Sequence, residues 1–325
     1  MKALLCKQFG LPETLVVEEI DSPTVRENEV KIRVHAAGVN FPDVLLVQGL
    51  YQMKPPFSFI PGIEVAGEIM EVGARVTDRH IGQRVIGIVT TGGIAEEVCA
   101  PTAMTLPMPN TLDDIHGAVF PVVYGTSHIA LDHRANLQAG ETLLVLGAAG
   151  GVGLSAVELG VKMGATVIAC ASTDEKLALA QQYGAQHIIN YSTTDLRDAV
   201  KQITNDRGAD VIYDPVGGDL FDSAIRVIAW EGRYLVVGFA SGRIPDMPAN
   251  RVLLKNSSLV GVFWGAYATQ KPQVMAKSFT TLLKWAGEGS LKPHVSATFP
   301  LAQAAEALTH VMNRKVLGKV AVTMG

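Results

Sequence analysis

Residues 144–153 read Leu-Val-Leu-Gly-Ala-Ala-Gly-Gly-Val-Gly, an apolar run that breaks into glycines. The stretch that follows, Leu154 to Gly164, carries Leu154, Val157, Leu159, Val161 and Met163 and predicts a helix. A buried strand, a tight turn and a helix start together make an anion site, because unpaired N–H groups and the helix dipole face the turn. Gly150 and Gly153 fit the second and third glycines of a dinucleotide fingerprint, where backbone approaches a pyrophosphate and helix packs on strand. Ala148 stands in the first glycine's place, with Gly147 just before it. Glycine-rich turns also arise for packing alone; the strand–turn–helix context favours the ligand. Ala149, Gly150, Gly151, Val152 and Gly153 are therefore the candidate phosphate loop.

Around this stretch, residues 1–120 hold short β-rich runs, Glu29–Ala36, Glu64–Val72, Arg84–Val89 and Ala95–Ala100, separated by glycines, which predicts an all-β body. From about residue 125 strands alternate with helices. Thr142–Leu146, Thr166–Ala171, His187–Asn190, Val211–Asp214, Tyr234–Val237 and Ser258–Val262 are candidate strands; Asp174–Tyr183, Asp195–Thr204 and Phe221–Ala229 are candidate helices. Six strands with crossover helices make a doubly wound parallel sheet, so the fold class is α/β. Helices at Gln273–Gly287 and Leu301–Asn313 and a strand at Lys319–Thr323 follow, a segment able to rejoin the first domain.

A chain of 325 residues with 48% hydrophobic and 18% charged residues is a folded globular protein of about two domains. A net charge of −4 gives no reason to expect a nucleic-acid or anionic-membrane partner. Met1–Gln8 lacks the apolar stretch of a signal peptide, and no window is apolar enough to span a membrane. Cys6, Cys99 and Cys170 are odd in number and far apart, which argues against a disulfide framework and for a cytoplasmic setting.

The end of the second strand of the parallel sheet bears on the nucleotide. A site for NAD places an acid there for the ribose hydroxyls. Here the strand ends in Ser172 and Thr173, with Lys176 one helical turn on and Tyr191 after the next strand, a set that suits the 2′-phosphate of NADPH. Asp174 is either a ribose ligand or, the preferred reading, a helix N-cap.

The sequence resembles the medium-chain dehydrogenase/reductase superfamily, in its zinc-free quinone oxidoreductase branch that includes zeta-crystallin. The likeness spans nearly the whole chain. It rests on Ala37-Gly38-Val39-Asn40-Phe41-Pro42-Asp43, Gly49-Leu50-Tyr51, Pro61-Gly62-Ile63-Glu64-Val65-Ala66-Gly67, the glycine loop, Tyr213-Asp214-Pro215-Val216-Gly217-Gly218 and Gly318-Lys319-Val320. It implies a GroES-like β-barrel catalytic domain at 1–124, a Rossmann NADPH-binding domain at 125–265 and a C-terminal segment, 266–325, returning to the first domain. Metal-dependent members carry a cysteine and a histidine where this chain has Asn40 and Ile63. An amide and an isoleucine are not zinc ligands, so no metal is expected.

The resemblance places Asn40, Asp43 and Tyr51 at the cleft between nicotinamide and substrate. Each also has a structural explanation: Asn40 as a turn residue, Asp43 as a cap, Tyr51 as a rim aromatic. Thr126, opening the helix into the second domain, and Phe239, Phe263 and Trp264, after the fifth and sixth strands, are candidates for the nicotinamide end; Trp264 equally suits a dimer interface. Lys319 either closes over the cofactor or is a solvated charge. The expected activity is NADPH-dependent hydride transfer to a quinone or an α,β-unsaturated carbonyl by a homodimer. The alternatives are an enoyl-thioester reductase and a non-catalytic NADPH-binding protein.

Overall fold

In the computed structural model, which describes residues 1–325, the chain divides into two units, Met1–Val122 with Leu283–Gly325, and Val123–Leu282. Its strands are β1 (Lys2–Leu5), β2 (Val16–Glu19), β3 (Glu29–Val39), β4 (Glu64–Val72), β5 (Arg84–Ile88), β6 (Glu97–Pro101), β7 (Thr105–Pro107), β8 (Thr142–Leu146), β9 (Thr166–Ala171), β10 (His187–Asn190), β11 (Ala209–Asp214), β12 (Ile228–Val236), β13 (Ser258–Gly261), β14 (Val295–Pro300) and β15 (Lys319–Thr323). Its α-helices are α1 (Phe41–Val47), α2 (Asp114–His128), α3 (Gly151–Lys162), α4 (Asp174–Gln182), α5 (Leu196–Ile203), α6 (Gly218–Ala224), α7 (Ala249–Lys255), α8 (Tyr267–Gln270), α9 (Pro272–Gly287) and α10 (Ala304–Met312).

In the first unit a seven-stranded sheet runs β14-β15-β3-β4-β5-β7, with β6 also on β3. β3 is its axis. Val30, Ile32 and Val34 alternate inward, as expected for a strand with one buried face. Its far end, Ala36 to Val39, pairs antiparallel with β15. Val39, Val65, Val320 and Leu308 of α10 share one core. This unit is not all β as the turn-rich texture suggests. It also contains α1 and most of α2, which buries Ala118, Val119 and Phe120.

The second unit holds a six-stranded sheet in the order β10-β9-β8-β11-β12-β13, all neighbours parallel. The order reverses between β8 and β11, the switch point beside which doubly wound sheets bind ligands. All five residues of β8 are buried, as a central parallel strand requires.

Three expectations need correction. The predicted helix Phe221–Ala229 stops at Ala224, and a turn of 3-10 helix leads straight into β12. Ile228 already pairs with Ala209, and a buried run of Ile225, Val227, Ile228 and Ala229 has no period that separates helix from strand. Thr126 does not open a helix but lies near the end of α2, which passes through Pro121 without stopping. The second unit extends to Leu282 rather than Gly265, because Trp264 packs edge-on against Phe279 of α9 and His128 bonds Ser278 at 2.9 Å. No helix is long and apolar enough to cross a membrane, and all three cysteines are free.

Candidate active site

In the first unit four polar residues meet at the end of β3. Asn40 is the N-cap of α1, with Pro42 in the first turn, where a missing N–H costs nothing. Asp43, fully buried, accepts the Asn40 N–H on Oδ2 at 2.8 Å and the Gly62 N–H on Oδ1 at 3.2 Å. It is thus a cap, and it also ties α1 to the turn before β4. Burial raises the Asp43 carboxyl to about 7, against the pull of the Asn40 N–H, the Lys319 charge and the Gly62 N–H; nearby Glu64 pushes the same way as burial.

Glu64 starts β4 opposite Gly38. A Cβ on Gly38 would lie 2.3 Å from Glu64 Oε1 and 2.6 Å from the Ala118 carbonyl, so the glycine makes room for the carboxylate and for α2. Glu64 accepts from Asn40 Nδ2 at 2.8 Å, from Lys319 Nζ at 2.8 Å and from the Val122 N–H at 2.9 Å. Lys319 donates its remaining protons to the Val39 carbonyl at 2.7 Å and Asn40 Oδ1 at 2.5 Å. A buried ammonium is tolerated only when paired and fully hydrogen-bonded, and here it is both. Lys319 therefore does not reach out over a cofactor. Its side chain is 5% exposed and fixes the orientation of the Asn40 amide, since Oδ1 faces the ammonium and one Nδ2 hydrogen faces Glu64. The second Nδ2 hydrogen has no acceptor in the chain. Tyr51 is half-buried beside this group; desolvation, and then the charge of Asp43, raise its phenol.

In the second unit the glycine turn is built differently from the spacing proposed for it. Gly147, not Ala148, makes the turn: its φ is +60° and its carbonyl accepts the Gly150 N–H at 3.0 Å. The pattern is Gly147, Gly150, Gly153. A Cβ on Gly153 would lie 2.2 Å from the Gly147 carbonyl, so this glycine lets α3 pack on the end of β8. A Cβ on Gly150 would meet only that carbonyl, at an ordinary 3.5 Å. Nothing inside the protein demands a glycine there. The glycine leaves that side of the turn open. Behind the turn, Ser127 bonds Ser155, Tyr213 and the Val152 carbonyl at 2.8–2.9 Å, anchoring α3 to α2 and β11. This buried hydroxyl network escapes sequence reading because Ser127 and Ser155 lie in apolar helices with no motif around them.

At the end of β9, Ser172 and Lys176 are half-buried, and Lys176 Nζ lies 3.4 Å from Ser172 Oγ and makes no ion pair. Thr173, not Asp174, is the N-cap of α4; Asp174 binds the Asn190 amide at 2.7 Å. Tyr191 leans on the core under this edge. Thr126 is buried, Phe239 and Phe263 are exposed, and Trp264 is buried against Gly125, its indole N–H without an acceptor in the chain. The loop after β11 is held by Asp214, which accepts from the Val216 and Gly217 N–H groups and from the Tyr234 hydroxyl, all at 2.8 Å.

Comparison with known proteins fits this architecture. Residues 26–110 match the family model for the alcohol dehydrogenase GroES-like domain, and residues 151–282 the model for zinc-binding dehydrogenases. Quinone oxidoreductase-like protein 2 of Mus musculus is 42% identical over 99% of this chain and 92% of its own length. The quinone oxidoreductase of Rattus norvegicus is 33% identical over 94% of this chain and 92% of its own. This chain belongs to the medium-chain dehydrogenase/reductase superfamily, in its zeta-crystallin-like quinone oxidoreductase branch. Among solved structures, Escherichia coli quinone oxidoreductase complexed with NADPH superposes with a TM-score of 0.92 at 25% identity, covering 99% of this chain and 100% of that one. The Thermus thermophilus quinone oxidoreductase, also described with NADPH, gives 0.86 at 33% identity over 100% of both chains.

The zinc in the family model's description does not fit the residues of this member. Both functional atoms of the Asn40 amide are engaged by Lys319 and Glu64, Ile63 is apolar, and no three His, Cys, Asp or Glu side chains are grouped to hold a metal.

Proposed function

We propose that this protein is an NADPH-dependent, zinc-independent reductase that passes hydride to quinones or other electron-poor conjugated carbonyls. The observation that carries the reading is the end of β9, where Ser172 and an unpaired Lys176 stand where an acid would be needed for NADH. The NADPH-bound neighbours support the same cofactor. On this reading the Gly147–Gly153 turn and the α3 N-terminus hold the pyrophosphate. Ser172, Thr173, Lys176 and Tyr191 hold the 2′-phosphate, and Thr126, Phe239, Phe263 and Trp264 border the nicotinamide.

NADPH, when bound, supplies the hydride; the protein supplies position, a dry setting and hydrogen bonds. The free Nδ2 hydrogen of Asn40 donates to the substrate oxygen as negative charge grows there, a contribution of roughly 2.7–4 kcal/mol for a well-placed oxyanion donor. The Glu64–Lys319 pair keeps that amide from flipping. Asp43 fixes the backbone at Asn40 and before β4. Tyr51 stacks on the acceptor ring, and solvent supplies the proton that completes a hydroquinone.

The three free cysteines support a reducing, cytoplasmic setting. The unpaired edge of β13, with Leu259 exposed on it and Leu253 and Leu254 exposed on α7, supports a homodimer.

The test is NADPH oxidation by chelator-treated protein against quinones, enones and enoyl thioesters. Quinones and simple enones are expected to turn over, with NADPH preferred to NADH. Turnover confined to thioesters, or dependent on restored zinc, overturns the reading.

A further inference from the structure

The first unit carries an apolar patch that the chemistry above does not use. Phe9, Leu11, Leu50 and Phe57 are 37%, 53%, 68% and 50% exposed. The Phe9 and Phe57 rings meet edge to face at 4.6 Å, and Phe57 stacks on buried Phe59 at 6.0 Å. Phe9 also lies against the backbone of Gly49, 2.9 Å from where a Cβ would stand, so the chain leaves that turn toward Leu50 and Tyr51 beside the ring. Tyr51 and Phe59 pack into one cluster, and Tyr51 feels the charge of Asp43. Leu50 of the patch is the chain neighbour of Tyr51, so the patch borders the residue assigned to the acceptor ring.

Its size limits the occupant. Four such side chains, partly covered, present on the order of 400 Å². One face of a stable protein–protein interface needs about 800 Å². A chain of ten or so carbons needs less. We infer that this patch seats the hydrophobic tail of the acceptor, so that the preferred substrate is an electron-poor ring or enone bearing an isoprenoid or long alkyl chain. The inference rests on the functional reading above for the position of the ring. The tail makes and breaks no bond; hydride and proton go to the head group as before.

The experiment is a series of benzoquinones with one ring pattern and a tail of zero, one or two isoprenoid units or a decyl chain. kcat/KM is measured with NADPH, and affinity by calorimetry in saturating NADP⁺. From no tail to ten carbons both are expected to improve about tenfold, since a half-open seat yields only part of the full burial gain per methylene. Leu50→Ser and Phe57→Ser are expected to flatten the tailed-to-tailless ratio, while Ile81→Ser, at an exposed position elsewhere in the same unit, keeps it. A flat ratio in the unaltered protein overturns the inference even where quinones turn over. Loss of phosphatidylcholine-vesicle binding in the two variants, with an unchanged ratio, also overturns it, marking a membrane contact instead. Absence of any quinone turnover defeats the functional reading, and the calorimetric ratio still decides the patch.

Discussion

At the level of single residues, the buried quartet of Asn40, Asp43, Glu64 and Lys319 carries charges that give it a pH signature. Asp43 holds its proton more tightly folded than unfolded, at about 7, well above the usual carboxylate range. The stability this proton confers is complete below the unfolded value and is lost as pH rises through about 7. Asp43→Asn lacks the titration. Urea unfolding is thus expected to show the variant's deficit shrinking between pH 5 and 7, by at most about 1.4 kcal/mol per pH unit; a constant gap contradicts the burial argument. Tyr51→Phe keeps the ring and removes the hydroxyl, so kcat/KM with quinones is expected to fall less than about tenfold, below the 10²–10⁴ typical of a positioned acid. A hundredfold fall on an enoyl thioester that the parent turns over well assigns Tyr51 the acid's role. Lys176→Ala is expected to cost about 1.5–3 kcal/mol of NADPH binding and little for NADH, read by fluorescence titration. The polar end of β9 is legible in sequence because strand and motif fix its place. Lys319 is not: a lysine near the chain's end reads as solvated until β15 is known to lie against β3.

Among the elements, the glycine turn separates folding from binding. Gly153→Ala puts a methyl group against the Gly147 carbonyl, and the melting temperature without ligand is expected to drop, with α3 pushed off β8. Gly150→Ala meets only an ordinary contact, so the melting temperature is expected to hold while NADPH affinity falls at least tenfold. If both variants melt early and bind normally, the turn is packing alone. The strands β8, β9 and β10 are readable to the residue, since each is a short run bounded by turn residues. Where two elements abut without a turn, as from α6 into β12, pattern alone does not show the joint. Pro121 shows the opposite case, a helix held by tertiary packing that runs through a residue that usually ends one.

Over the whole molecule, the free edge of β13 is the feature with the largest consequence for assembly. Strand pairing across it, with Leu253, Leu254 and Leu259 covered, predicts sedimentation at twice the 34.6 kDa chain mass. Leu259→Lys, which adds a charge to the edge, is expected to shift the protein toward monomer. A monomer in the parent protein at micromolar concentration removes that assignment. The two-unit plan is visible in the shift from turn-rich to alternating texture. The boundary near Leu282 is not, because it depends on Trp264 meeting Phe279, a contact no local pattern announces.

The insertion of β15 between β14 and β3 also orders events on the ribosome. The ammonium of Lys319 bonds the Val39 carbonyl across 280 residues of chain. The second unit is continuous in sequence and can complete itself as it emerges. The first cannot close before Lys319 emerges: until then Glu64 lacks its counter-charge, Asn40 Oδ1 lacks its donor and the end of β3 lacks β15. Nascent chains of this protein are thus expected to carry an unfinished first unit until β15 emerges.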